Sequence, residues 1–194
     1  MTDSPASASA PAARALAELA ELLAPGRAAV AEEALFAYDD PDAYVRTHAT
    51  RLDRRGIDAP IENLAWIALV DALTAQGLLA EVDWKEGGDE IRRQLRGLES
   101  RPTVDPWALA GPEDSGGTDG TDGTDGTDAE PLDTAAFLNE AGRLHLEQGV
   151  ALAVLDIESD CYPLVCFPAR RAGELTPLAS RAGFYAAVLG ADAL

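Results

Sequence analysis

Five carboxylates lie at the ends of two predicted strands, where they could hold a metal ion. Asp83 and Glu86 end the first strand, and Asp156, Glu158 and Asp160 alternate at the end of the second. Alternate side chains of an extended chain face the same way, and hard cations prefer carboxylate ligands. If the two strand ends meet, a bound cation could activate water, which predicts a carboxylate-metal-dependent hydrolase. The candidate site consists of Asp83, Glu86, Glu158 and Asp160. The alternative is that these acids are ordinary turn residues in solvent.

Cys161 and His145 are the other pair that could do chemistry, as nucleophile and general base. No third residue to orient the histidine and no oxyanion-hole pattern accompanies them, so a packing cysteine is the favoured interpretation. Cys166 lies five residues after Cys161 in a predicted strand, and an odd separation points the two side chains to opposite faces. We therefore expect two reduced cysteines, no catalytic residue and no cofactor.

Asp71 is the acid with the most apolar surroundings in the sequence. It follows Leu64 by seven residues within a long apolar run, so on a helix it should be partly buried on the same face. A buried carboxylate needs a compensating partner. Lys85, an arginine or a helix N-terminus could be that partner, and a structural ion pair is the default expectation.

Trp66, Trp84 and Tyr162 could form the wall of an aromatic pocket, although core packing is the commoner role of such side chains. The sequence contains no glycine-rich dinucleotide loop, Walker loop, Gly-x-Ser-x-Gly element or kinase-like set. No complete catalytic, metal-binding or phosphate-binding motif therefore points to a reaction.

The first half of the chain predicts mostly helices. Leu16, Leu19 and Leu23 form one apolar helical stripe. Asp40 precedes a proline and is predicted to cap a helix that ends at Gly56. The expected elements are helices at 14–23, 28–37, 41–56 and 61–76, a strand at 78–84, and a further helix capped by Asp89.

The second half of the chain predicts a small sheet. Residues 150–157 are apolar on both faces, as in a central strand, and Pro163 belongs at the start or edge of the next strand. The expected elements are a helix at 132–148, strands at 150–157 and 162–168, a helix at 169–182, and either an edge strand or a helical end at 184–189. The predicted fold class is α+β, with helices packed on a small antiparallel sheet centred on a C-terminal β-hairpin.

Two segments have compositions that disfavour folding. Residues 1–13 are rich in alanine, serine and proline and predict a disordered tail. Residues 100–131 contain Gly-Thr-Asp repeats with few apolar side chains, and predict a disordered acidic insert because calcium-binding repeats have a different period. A single α+β domain is expected over residues 14–190, interrupted by this insert.

The charge of the chain limits its partners. The formal net charge is −19, and residues 102–142 contain ten acids and no Lys or Arg. Such a surface repels nucleic acid and an anionic membrane. Since no signal peptide or membrane-spanning apolar run is present, we expect a cytoplasmic protein. The favoured function is a non-enzymatic protein-binding or regulatory module acting on another protein, with a basic partner attracted by the acidic surface. The oligomeric state is left open.

Three blocks of the sequence resemble recurring blocks of an uncharacterised bacterial domain-of-unknown-function family. They are LAWIALVDAL at residues 64–73, DWKE at 83–86 and SDCYPLV at 159–165. The resemblance covers about residues 61–189, with the acidic segment as an insertion. It implies no activity.

Overall fold

The protein, seen here in a computed structural model, is described at residues 6–108 and 133–191. Its first part is helical. The helices are α1 (Ala6–Leu23), α2 (Ala28–Asp39), α3 (Pro41–Thr47), α4 (Ala49–Asp53) and α5 (Leu64–Ala75). Residues 64–73 of α5 are all buried, as a helix that is apolar around most of its circumference should be.

The starts and ends of these helices follow the sequence in part. The Asp40 side chain accepts a hydrogen bond from the Ala43 backbone N–H at 2.9 Å and caps α3 as expected. The single helix expected up to Gly56 is instead two helices, which meet at His48. Helix α1 begins at Ala6, so residues 6–13 of the expected tail are helical, because alanine has the highest helix propensity. Residues 1–5 lie outside the described part.

The rest of the described residues form a sheet and three further α-helices. The elements are β1 (Leu79–Asp83), α6 (Gly88–Gly97), α7 (Thr134–Glu147), β2 (Val150–Asp156), β3 (Cys161–Pro168), α8 (Ala172–Ala182) and β4 (Tyr185–Val188). Short 3-10 helices lie at Pro106–Ala108 and Ala169–Arg171. The N-cap of α6 is Gly87, whereas Asp89, expected to cap this helix, lies inside its first turn.

The sheet has four strands in the order β1-β3-β2-β4, and every neighbouring pair is antiparallel. The β2–β3 hairpin is at its centre, which confirms the α+β fold class, and the last segment is an edge strand. Pro163 lies within the central strand β3, opposite Glu81, and not at its start or edge as expected. The ladder with β2 ends at Leu164, so β2 requires no hydrogen bond from the proline nitrogen.

Both faces of the sheet are covered, because its central strands are apolar on both sides. Ala153 and Val165 join the core formed with α1, α2, α5 and α8. Leu152 and Leu164, which point the other way, join a smaller core formed with α6 and α7. This alternation is the period-two pattern of a strand buried on both faces.

The start of the predicted acidic insert packs against the domain. Pro106 is buried, and the ring of Trp107 contacts the ring of His145 with centroids 5.4 Å apart. Asp105 accepts a hydrogen bond from Arg96 at 2.8 Å. Residues 100–108 are thus held by apolar and charged contacts, although the acidic composition of the segment predicts disorder. Residues 109–132, which include the Gly-Thr-Asp repeats, lie outside the described residues.

Helix α7 and the segment after β4 approach each other backbone to backbone. A Cβ added at Gly142 would collide with the backbone carbonyl of Leu189, and one at Gly190 would collide with the backbone nitrogen of Arg143. Gly190 also has a φ of 67°, a conformation that glycine adopts without steric cost. Both positions therefore require glycine.

Across residues 6–108 and 133–191, no helix combines the length and the apolar character needed to cross a membrane.

Candidate functional site

An open cavity of about 540 Å³ lies at the end of the sheet where β2 stops and β3 starts, beside α7. Three aromatic side chains line it: Trp84, Tyr162 and Tyr185. Trp84 is 50% exposed and Tyr185 is 61% exposed, although aromatic rings usually bury most of their surface. Two large rings therefore face solvent at one concave site.

Three strands bring these rings together. Trp84 directly follows β1, and its backbone N–H donates to the carbonyl of Asp160 at 3.3 Å. Tyr162 lies in β3 opposite Val82, and Tyr185 starts β4 opposite Asp156. The antiparallel register thus places at one edge of the cavity residues that are far apart in the sequence.

The first turn of α7 is fastened to the same edge. The buried hydroxyl of Thr134 donates a hydrogen bond to the backbone carbonyl of Trp84 at 2.9 Å. Asp133 caps the helix by accepting from the Ala136 N–H at 3.1 Å, the role that a short acidic side chain commonly has at a helix start. The N-terminal half of α7 therefore forms a fixed wall of the cavity.

Two carboxylates, those of Asp156 and Asp160, line the cavity beside the rings. The Oδ1 atom of Asp156 accepts a hydrogen bond from the Glu158 N–H at 2.8 Å. This bond supports the turn in which Glu158 has a φ of 59°, a conformation rare for residues with a Cβ. Neither Asp156 nor Asp160 forms an ion pair with another described residue.

The other carboxylates of the predicted metal site do not line this cavity. Asp83 is exposed at the end of β1 and accepts from the Lys85 N–H at 2.9 Å. Glu86 accepts from the side-chain amide of Gln94 at 2.7 Å. Glu158 lines a neighbouring cavity, next to Trp66.

Of the four candidate residues, only Asp160 lines the cavity with the aromatic rings. Among residues 6–108 and 133–191, no group of three or more His, Cys, Asp or Glu side chains is arranged to hold a metal ion.

Cys161 is also among the residues that line the cavity, and its free thiol is half-buried near Glu81 and Arg55. Burial, with the nearby carboxylates of Glu81 and Asp83, raises the pKa of this thiol. The thiolate, which is the nucleophilic form, is therefore disfavoured. Cys166 is fully buried in the smaller core and also carries a free thiol, in agreement with the expected opposite orientation.

His145 does not form a pair with Cys161. Its side chain is buried inside the domain, with Nδ1 at 2.7 Å from the carbonyl oxygen of Ala141 and its ring against Trp107. Burial lowers the pKa of this imidazole. These contacts assign His145 a packing role beside the start of the insert.

A second charged cluster lies away from the cavity and centres on Asp71, which is only 7% exposed. Its Oδ1 atom accepts from Nε and Nη2 of Arg55 at 3.0 and 2.6 Å, and its Oδ2 atom lies 3.0 Å from Nε of Arg51. Arg55 also donates to Glu81 at 2.9 Å. This confirms the expected buried ion pair, with arginines as the partners.

The same cluster extends to a buried tyrosine. Arg51 pairs with Glu33, and the Tyr44 hydroxyl donates to Glu33 at 3.0 Å while it accepts from Arg51 at 2.5 Å. Burial and the neighbouring Glu33 raise the pKa of the Tyr44 phenol far above its usual value. Three carboxylates and two guanidinium groups are paired with one another within this cluster, which favours a structural role.

The aromatic pocket wall proposed from the sequence is partly correct. Trp84 and Tyr162 line the cavity, but Trp66 is fully buried, stacks on Phe184 with centroids 4.7 Å apart, and donates its indole N–H to the Asp156 carbonyl at 2.7 Å. Trp66 thus supports the strand end from within the core. The sequence does not predict that Tyr185 belongs to this wall, because its segment fits either an edge strand or a helical end. Only the pairing of β4 with β2 places its ring at the cavity.

The chain was also compared with known proteins. Neither the curated proteins nor the solved structures contain a match to it. The family model for the domain of unknown function DUF6630 matches residues 15–189, which include the cavity, the Asp71 cluster and all three sequence blocks. The match starts within α1, so the N-terminal helices are part of the family's domain as well. The chain therefore belongs to the DUF6630 family.

Proposed function

We propose that this chain is a non-enzymatic protein-binding module, and that it binds a basic segment of another protein at the cavity lined by Trp84 and Tyr185. The observation that carries the proposal is the combination, at one concave site, of two exposed aromatic rings with two carboxylates that have no cationic partner among the described residues.

The exposed rings supply the apolar part of such an interface. Protein interfaces are enriched in Trp and Tyr, and these residues dominate the binding energy when they fill or line a pocket. A third apolar side chain, Ile61, is 42% exposed in the neighbouring cavity, which Tyr185 also lines. The two cavities thus share a ring, and together they offer a surface larger than a single small pocket.

The carboxylates supply the preference for a basic partner. Asp156 and Asp160 line the first cavity, and Glu62 and Glu158 line the second. None of these four acids is in an ion pair within the described residues. With a net charge of −19 on the whole chain, this surface should attract cations at long range and speed association with them.

The described residues support binding better than catalysis. The half-buried thiol of Cys161 has a raised pKa, the buried histidine contacts a backbone carbonyl, and among the described residues no group of three or more His, Cys, Asp or Glu side chains is arranged to hold a metal ion. The carboxylate-metal hydrolase has no specific observation in its favour among residues 6–108 and 133–191.

The test is affinity capture with the full chain and matched variants. The double variant Trp84→Ala, Tyr185→Ala removes the two exposed rings, and Val104→Ala is the control because Val104 is 47% exposed but does not line the cavity. We expect at least one basic protein to be captured at low salt by the wild type and by the control but not by the double variant. Capture should weaken as salt rises.

Two results would overturn the proposal. One is capture of the same proteins by the wild type and the double variant, since the rings would then have no role. The other is the absence of any captured protein, basic or not, at low salt. Circular dichroism of each variant checks that the fold is retained.

A further inference from the structure

The ring of Trp84 already holds a cation in this structure. Nζ of Lys85, the only lysine in the sequence, lies 4.9 Å from the ring centroid, within the distance at which an ammonium group is attracted by an aromatic face. Lys85 is exposed, so its ammonium group can return to water at little cost. Trp84 also lines the cavity and is half exposed, which leaves part of the ring available to a second cation.

The other groups in the cavity suit an ammonium ion on an aliphatic stem. Leu138 and Val154 line the cavity beside the rings, and methylene groups of a long side chain pack favourably on such a surface. The carboxylates of Asp156 and Asp160 can accept hydrogen bonds from a positively charged head group. The cavity therefore combines an apolar wall, aromatic faces and anionic acceptors.

We propose that the cavity binds the side chain of a lysine in the partner, with the ammonium group among Trp84, Asp156 and Asp160. This inference rests on the protein-binding function proposed above and names the residue that the site recognises.

At Asp156, the carboxylate geometry favours lysine over arginine. A guanidinium group binds best when it donates two parallel hydrogen bonds to both oxygens of one carboxylate. The Oδ1 atom of Asp156 is engaged by the Glu158 N–H, so a two-oxygen contact would compete with the bond that supports the turn. An ammonium group is a compact cation that can donate one hydrogen bond to an oxygen of each aspartate.

Isothermal titration calorimetry measures whether the cavity binds a cation. It gives a dissociation constant for each probe on the full chain, and the same titration on variants shows which side chains the bound probe contacts.

The probes are three short peptides that differ at one residue: Ac-Gly-Lys-Gly-NH2, its arginine counterpart and its acetyllysine counterpart. We expect the lysine peptide to bind in a saturable manner and with the lowest dissociation constant of the three. Trp84→Leu should raise this dissociation constant by about twofold to thirtyfold, the range of a cation–π contact. Asp160→Asn should raise it as well, and Val104→Ala should leave it unchanged.

The outcomes separate this inference from the proposed function. Equal affinity for the acetyllysine peptide would show that no cation is recognised, and an equal or higher affinity for the arginine peptide would overturn the choice of lysine. If no peptide binds but protein capture still depends on Trp84 and Tyr185, the lysine inference fails and the binding function stands. If capture is also independent of those rings, both fail.

Discussion

Asp71 and Asp160 carry the same functional group in opposite surroundings. Asp71 is 7% exposed and lies between two arginines, which in turn contact Glu33 and Glu81. Asp160 is exposed, lines a cavity with aromatic rings and has no ion pair among the described residues. A buried carboxylate must be compensated within the protein for the fold to be stable, whereas an exposed one is compensated by water and stays available to a partner. The comparison separates charges that stabilise the fold from charges that can bind.

The largest expected effect is on stability at Asp71. Asp71→Ala should lower the free energy of unfolding by about 3 kcal/mol, at the low end for a broken buried pair, because Arg51 and Arg55 keep their contacts with Glu33 and Glu81. Asp160→Ala is the matched control and should change stability by no more than about 0.5 kcal/mol. Urea unfolding followed by circular dichroism measures both. Equal losses in the two variants would contradict the comparison.

A smaller loss is expected at the edge of the same cluster. Tyr44→Phe removes a buried hydroxyl that hydrogen-bonds Glu33 and Arg51, while the direct pair between those two side chains remains. The free energy of unfolding should fall by about 1–2 kcal/mol. Tyr185→Phe removes a hydroxyl from an exposed ring and should have no measurable effect on unfolding. A neutral Tyr44→Phe variant would mean that the cluster does not depend on its tyrosine.

The buried histidine predicts a pH effect on stability. Burial lowers the pKa of His145 in the folded protein below the ordinary value of 6.5, so the unfolded chain binds more protons just below that pH. The free energy of unfolding should therefore rise with pH through this window and lose that contribution as the pH falls. Urea unfolding at several pH values should show a flatter profile for His145→Gln than for the wild type. If the His145→Gln variant keeps the full pH dependence of the free energy of unfolding, other groups must cause that dependence.

The smallest expected effect concerns acids that lie outside the described residues. Deletion of residues 116–128 removes four aspartates of the Gly-Thr-Asp repeats, and it should change the melting temperature by no more than a few degrees, since loop length affects stability only logarithmically. Capture of a basic partner should persist, because the proposed site uses Asp156 and Asp160. Loss of capture on deletion would show that total charge, not the cavity, attracts the partner.

The parts of the fold that follow from local patterns could be predicted. The apolar run of α5, the cap of α3 at Asp40 and the two-sided apolar strand β2 each depend on neighbours in the sequence. Pro163 shows the limit of local patterns, since β3 can contain a proline there only because its ladder with β2 ends at the next residue. Trp107 shows a second limit, because it lies in a segment whose acidic composition predicts disorder, whereas its ring packs on His145.

The candidate site could be predicted only in fragments. The sequence pointed to Asp160 and to an aromatic wall with Trp84 and Tyr162, but in separate hypotheses. Their combination depends on the register of β1 against β3, and the addition of Tyr185 depends on the pairing of β4 with β2. Long-range pairing of this kind cannot be read from spacing along one strand.

The close approach of Gly142 to Leu189 determines how much the cavity must rearrange when it binds. Leu138 of α7 and Leu189 after β4 both line the cavity, and the backbone contact between these two segments leaves no space for either to shift towards the other. The concave shape is thus preorganised before a partner arrives. A ligand that enters it loses its own freedom but does not have to order the protein, which is the condition under which a small site can bind with useful affinity.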